Sequence, residues 1–478
     1  MRTPVVLQFV GRFLQIFAVM LALPLLVAIY YSESLLVSSG FMVASISAML
    51  LGYAVKMAGN SSDPTTEEAM FATVLGWTLA VGFGAIPLMV HMNIFDAFFE
   101  ASAGLTTTGI SMFLEPGKLP KSILFWRSFM QWVGGLGILT FFIAVIRESG
   151  GVSRRLFSAE AHKTDSGSIR PSLLKSIVSL WKVYGFLTTV IVVVYIVLGM
   201  PPFDALLHAF SGISTGGFST TSASIAGFSS VPIEIATTVF MFIGGVNFVL
   251  LYQVLRADAS SILENSEFKL YAKLFLLVGA FTSLELFLSG NTAFNAVLDG
   301  MFQSAAVISS TGYSTMSLTA LSMTLQAVFI AVMFFGGSLG STAGGLKIFR
   351  LKTMAQLLRT RIQAYSLPDT AINEVKLDGH ILESDTVRTI SVLFFTWMAA
   401  VFLLTVFTLA LEDVSLMAAL SGTVSAVGNM GPVYMSGEKM VALSPLVKVA
   451  WIIGMLAGRL EMLPLLAIFN SDLFKDTS

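Results

Sequence analysis

Thr106-Thr107-Thr108-Gly109-Ile110-Ser111 is the stretch on whose reading the fold turns. It is uncharged and rich in hydroxyls, and it closes an apolar run from Phe95 to Leu105. That run is too short to cross a membrane, because a helix needs about 20 apolar residues to span a ~30 Å hydrocarbon core. A Thr/Gly strand behind a half-length helix offers backbone carbonyls to something small and positive. One copy is a weak sign, since TTTG also occurs in ordinary turns. The chain carries the pattern again.

Asp96, Asp204 and Asp299 each stand 13 positions before a glycine, Gly109, Gly217 and Gly312. The residues ending at those glycines read Thr106-Thr107-Thr108-Gly109, Ser214-Thr215-Gly216-Gly217 and Ser309-Ser310-Thr311-Gly312. Each is followed by a hydrophobic residue and Ser: Ile110-Ser111, Phe218-Ser219 and Tyr313-Ser314. A fourth copy, Gly428-Asn429-Met430-Gly431, is degenerate and has Ala418 where the Asp would stand. About 25 residues after each strand comes a small-residue patch: Gly134-Gly135, Gly244-Gly245, Gly336-Gly337, and Gly454 with Gly458. Small residues let membrane helices approach closely.

Composition sets the class. Of 478 residues, 55% are hydrophobic and 12% charged, against about 25% charged in soluble domains. The chain is expected to be an integral membrane protein. A net charge of -1 gives no sign of nucleic acid. The absence of Cys excludes disulfides, thiolate metal sites and a Cys nucleophile, and four scattered His make no His-rich metal site. The run up to Tyr31 is longer than a signal-peptide core and lacks a cleavage site, so it reads as a first span.

Ten spans are expected, near 5–31, 35–56, 67–92, 122–147, 176–199, 231–255, 269–289, 322–354, 387–411 and 442–469. Four apolar runs are too short: 94–105, 203–213, 294–308 and 413–425. Non-helical backbone is tolerated at membrane depth only where protein buries it or it lines a cavity. Four re-entrant hairpins around one cavity meet that condition. The expected fold is therefore all-α and polytopic, with ten transmembrane helices and four re-entrant pore-helix/filter hairpins. Two extra N-terminal helices (1–60) precede four pseudo-fourfold span–half-helix–strand–span repeats, at 61–150, 151–265, 266–365 and 366–478. Lys and Arg concentrate in 147–182, 256–273 and 347–388. The positive-inside rule places those segments, and both termini, in the cytoplasm, so the half-helices enter from outside.

A desolvated monovalent cation must regain its hydration shell from oxygen atoms, and rings of backbone carbonyls from four loops supply them. Glycine permits the backbone angles that such strands need, and half-helix C-termini favour a cation. No Asp or Glu lies within the strands. Carboxylate rings are one way of building a cation filter, so their absence favours a large monovalent ion.

On these strands, on Gly336-Gly337-Ser338-Leu339-Gly340-Ser341-Thr342-Ala343-Gly344-Gly345-Leu346-Lys347, and on Gly458-Arg459-Leu460-Glu461, the chain resembles the Trk/Ktr/HKT superfamily, and within it the TrkH-type potassium uptake proteins. The resemblance covers nearly the whole chain. It implies K+ selectivity at Gly109, Gly217, Gly312 and Gly431, with the preceding three residues of each strand completing the filter. Met430 and Ala343 are departures from the family pattern. It also implies uptake across the bacterial inner membrane, a homodimer in lipid, and a cytosolic ring of nucleotide-binding TrkA-like subunits docked on the basic loops. K+ is cargo, and no cofactor is expected in this chain.

The span at 322–354 is overlong and broken by Gly336, Gly337, Gly340, Gly344 and Gly345, with Ser341 and Thr342 among them. A helical glycine costs about 1 kcal/mol relative to Ala, so this cluster is not a regular helix. By resemblance, 336–347 is an intramembrane loop that obstructs the pore, and Lys347 marks where helix resumes. Arg459 lies in the last span, where a charge is costly and functional by default. An ion pair with Glu461 is the structural alternative, but residues two apart lie on different helix faces. A pore-facing Arg459 that raises the barrier to cations is the expectation, as in the family. Asp96, Asp204 and Asp299 read as helix caps, His208 as a satisfied polar residue, and Asn247 as bonding either a filter loop or a neighbouring helix.

An enzyme is the competing class. No His-Glu-x-x-His, Gly-x-Ser-x-Gly or phosphate-binding loop stands in a credible setting. Within transport, the lack of a buried carboxylate cluster favours a gated, channel-like path over symport with H+ or Na+.

Overall fold

The N-terminal helix Thr3–Tyr30 packs on Leu35–Met57 along a seam of small residues. A Cβ on Gly11 would stand 2.7 Å from the Gly52 carbonyl oxygen, so the two backbones touch. Arg2 ties this pair to the next helix by donating to Glu68 at 2.8 Å. Glu68 also closes a capping box with Thr65 at the head of Thr66–Ala85. The structure is a computed structural model that describes residues 1–60, 62, 64–148, 172–256, 260–366, 374–377 and 380–462.

After this pair the element order recurs: a long helix, a short apolar helix, an extended segment and a further helix. The short helices are Ile94–Leu105, Pro202–Ile213, Ala293–Ile308 and Leu416–Gly428. They fall on the four runs that were too short to be spans. Their starts follow from local chemistry. Asn93, Thr292 and Ser415 each accept a bond from a backbone N–H three residues on, and Pro202 occupies the first helical position of the second. The capping role expected of the aspartates is thus corrected. Asp96 and Asp204 lie in first turns, and Asp299 lies inside its helix.

Six helices among the described residues are long and apolar enough to cross a membrane: Thr3–Tyr30, Leu35–Met57, Glu67–Val90, Val178–Val197, Ser266–Leu288 and Ser384–Leu411. Their outer faces carry large apolar side chains such as Leu26, Ile29, Leu288 and Phe395, each at least 65% exposed. The centre instead buries Thr106, Thr108, Ser309 and Thr311. Apolar outside and hydroxyl-rich inside is the polarity of a membrane protein.

Three spans are broken. Helix stops at Met333 and resumes at Ile348, as the glycine cluster requires. The stretch 231–255, expected as one span, is two helices, Val231–Gly244 and Phe248–Leu255, bent by 108°. Backbone bonds to the glycine loop replace the helical ones there: Ser338 N donates to Gly245 O at 2.9 Å and Phe248 N to Gly340 O at 3.1 Å. Asn247 restarts the helix by accepting from Val249 N at 2.8 Å. The final helix, Pro445–Arg459, ends short of residue 469, with Glu461 and Met462 at positive φ; residues 463–478 lie outside the described residues. Arg459 therefore occupies a helix end. The sole strand pair among the described residues is a two-residue antiparallel ribbon, Lys376–Leu377 with His380–Ile381.

Candidate functional site

The four short helices end in one backbone conformation. Thr107, Thr215, Ser310 and Asn429 are left-handed, with φ of 56°, 54°, 59° and 52°. Two residues later Gly109, Gly217, Gly312 and Gly431 have φ of 79°, 80°, 74° and 94°. A non-glycine residue in the left-handed region costs roughly 1–2 kcal/mol. Its recurrence at four equivalent positions marks strain held for a purpose. The turns are closed by backbone bonds to the helix behind: Thr108 N to Ala103 O at 2.9 Å, Gly216 N to Ser211 O at 2.8 Å and Met430 N to Ser425 O at 3.0 Å. Gly428-Asn429-Met430-Gly431 adopts the same turn as the other three despite its degenerate sequence.

The strands meet in cyclic order. A Cβ on Gly109 would stand 2.0 Å from the Gly216 carbonyl oxygen, and one on Gly217 1.9 Å from that of Thr311. One on Gly312 would stand 3.1 Å from the Met430 oxygen, and one on Gly431 3.1 Å from the Thr108 oxygen. The carbonyl preceding each glycine thus lies against the glycine of the previous strand, and the fourth strand returns to the first. Asn429 seals that junction by donating to Thr108 Oγ1 at 2.9 Å. The Thr106 and Thr108 hydroxyls are 2.7 Å apart, as are those of Ser309 and Thr311.

The glycine loop lies directly against this ring. Thr342 Oγ1 donates to Ile213 O at 2.9 Å, and Thr215 Oγ1 is 3.3 Å from Thr342 Oγ1. Gly344 N donates to Ser310 Oγ at 2.6 Å, and Gly345 N to Gly428 O at 2.7 Å. The loop therefore bonds the second, third and fourth strands. Its own fold needs Gly336, Gly340 and Gly345 at positive φ, and Ser341 Oγ donates to Ser338 O at 2.6 Å. A Cβ on Gly337 would stand 2.5 Å from that of Ala343. Lys347, itself at φ 68°, donates back to Ser341 O at 3.4 Å and to Ala343 O before helix resumes.

Arg459, 3% exposed, joins the loop to the first repeat. Its Nη1 donates to Thr342 O at 3.2 Å and its Nη2 to Gly134 O at 2.8 Å. Glu461 is taken by Arg350, so the Arg459–Glu461 pair is not formed.

A family model described as a cation transport protein, TrkH, matches residues 36–289 and 289–477. The chain belongs to the TrkH family. Relatives include a cation transporter of Methanocaldococcus jannaschii described as uncharacterized, 30% identical over 98% of this chain and 96% of the relative. The Trk system potassium uptake protein TrkH of Salmonella typhimurium is 28% identical over 98% and 99%. The crystal structure of the potassium transporter TrkH from Vibrio parahaemolyticus superposes with a TM-score of 0.88 at 26% identity, covering 99% of this chain and all of that one.

In this TrkH member the residues singled out from sequence thus fall into one assembly of four strands, loop and Arg459. His208 is satisfied, with Nδ1 2.8 Å from Asp204 O and Nε2 3.0 Å from Ser219 Oγ. Asp96 forms a buried ion pair with Lys448 at 2.5 Å. Three residues behind the strands escaped the sequence reading. Glu100 and Arg127 pair at 2.7 Å, both buried. Gln131 donates to Gly216 O at 2.7 Å and accepts from Phe218 N at 3.1 Å. The available signal was a charged or amide residue inside an otherwise apolar helix.

Proposed function

We propose that the chain takes up potassium through the ring formed by residues 106–109, 214–217, 309–312 and 428–431. The observation that carries this reading is the cyclic contact of the carbonyls of Thr108, Gly216, Thr311 and Met430 with the glycine of the preceding strand. Four carbonyls around one centre can replace the hydration shell of a monovalent cation without fixed charge. The four short helices are read as re-entrant pore helices, their C-terminal ends turned to the ion, within a ten-span, pseudo-fourfold arrangement whose helix-flanking basic loops face the cytoplasm.

Residues 336–347 and Arg459 form the gate. The loop's bonds to three strands and the Arg459 link to Gly134 support this, since the loop cannot leave the ring without breaking them. The path is channel-like, driven by voltage at ~2.3 kcal/mol per charge per 100 mV. The working unit is a homodimer whose basic loops, 147–182 and 347–388, dock a nucleotide-binding TrkA-like ring; residues 149–171, 367–373 and 378–379 of these loops lie outside the described residues.

Rubidium flux into liposomes holding the purified protein, with and without the partner, tests the proposal. Flux that follows an imposed voltage and excludes Na+ is expected. A requirement for a pH gradient or Na+ would replace the channel-like path with symport.

A further inference from the structure

Each strand leaves its half-helix through a left-handed turn, and its outer end must be held in place. Counting nine residues back from each filter glycine gives Glu100, His208, Gln303 and Gly422. The first three are buried polar side chains, at most 1% exposed. Each faces a hydroxyl two or three residues beyond its own strand's glycine. Ser111 Oγ donates to Glu100 Oε1 at 3.1 Å, and Met112 N to Oε2 at 2.6 Å. His208 Nδ1 lies on a carbonyl, so it carries the proton; Nε2 is then free to accept from Ser219 Oγ at 3.0 Å. Gln303 Nε2 donates to Thr315 Oγ1 at 3.5 Å.

Arg127 couples the first brace to the second strand. It donates from Nε to Glu100 at 2.7 Å, from Nη2 to Ser111 Oγ at 2.9 Å, and from Nη1 to Ser219 O at 3.4 Å. Its guanidinium sits 4.3 Å over the Phe218 ring. The fourth repeat solves the problem differently. Gly422 leaves room for Trp451, whose ring would lie 1.9 Å from a Cβ there. Ser421 Oγ accepts from Tyr434 N at 2.9 Å, and Ser425 Oγ donates to Pro432 O.

We propose that Glu100, His208 and Gln303 are positioning residues for ion selectivity: each ties the outer end of a filter strand to the half-helix that launches it, so the ring carbonyls cannot relax around a smaller ion. This rests on the filter reading given above. The closed loop between brace and hydroxyl spans only about a dozen residues, and it contains the strained left-handed turn. Breaking the brace leaves the helix intact and frees the strand.

The test uses full-length protein in liposomes, reading the Rb+-to-Na+ flux ratio and the thermal unfolding midpoint. Ser111→Ala and Ser219→Ala remove the braced hydroxyl without leaving a buried charge unpaired, and His208→Gln changes the brace from the helix side. Each is expected to lower the ratio about fivefold, the factor one net hydrogen bond supplies, with the midpoint lowered by no more than a few degrees. Ser219→Thr, which keeps a hydroxyl, restores the ratio. Gly109→Ser is the control for the filter itself. If the bracing variants keep the parent ratio while Gly109→Ser loses it, the bracing role is overturned and the filter reading stands. If Gly109→Ser also keeps it, both fall.

Discussion

Alanine at the four ring glycines separates this geometry from a generic glycine requirement. All four have positive φ, so each substitution carries the same left-handed cost of roughly 1–2 kcal/mol. The space differs. At Gly109 and Gly217 the new Cβ would fall 2.0 Å and 1.9 Å from a neighbouring carbonyl oxygen, where real Cβ atoms essentially never come within 3.0 Å. The Gly216 and Thr311 carbonyls must therefore retreat by about 1 Å. At Gly312 and Gly431 the nearest atom would stand 3.1 Å from the new Cβ, and a shift of a few tenths suffices. Carbonyls moved by 1 Å no longer match the ion. Gly109→Ala and Gly217→Ala are expected to erase the preference for Rb+ over Na+ in liposome flux, and Gly312→Ala and Gly431→Ala to retain part of it. Equal tolerance at all four positions, or greater damage at Gly312 than at Gly109, would refute the ring as drawn.

Arg459→Ala removes the bonds to Thr342 O and Gly134 O, and is expected to raise Rb+ flux several-fold; unchanged or reduced flux in folded protein would end the gating role. Lys448→Met strands the buried Asp96 carboxylate, which should destabilise the protein by about 3–5 kcal/mol in detergent unfolding, and adding Asp96→Asn should recover most of the loss. Gly458→Ala would put a Cβ 1.9 Å from the Val427 carbonyl oxygen, so it should reduce flux by pushing the last helix away from the short helix Leu416–Gly428, whereas Gly185→Ala, where a Cβ meets nothing within 4 Å, should leave flux unchanged.

The repeat was legible because it is local. In the first three copies a fixed spacing from Asp to Gly, a short apolar run and a Ser after the strand all lie within about 15 residues. The glycine break at 336–347 was legible for the same reason. What was not legible depends on contacts between distant residues. The break at Gly244–Asn247 hides in a stretch long and apolar enough to read as one span, and its cause is the glycine loop about 90 residues on. Arg127 reads as one of a few basic residues near an outer loop; only the fold shows it meeting Glu100, Ser111 and Ser219. The aspartates were misread because Asn93 and Thr292, a few residues earlier, are equally good caps and win the position. That a helix ends at Arg459 is likewise invisible to hydropathy.

Anomalous scattering from crystals of the protein soaked in Rb+ locates the ion in the ring or outside it. A peak is expected inside the ring, bounded by the carbonyls of Thr108, Gly216, Thr311 and Met430. A protein that transports Rb+ yet shows its ion elsewhere, with the ring empty, would contradict it.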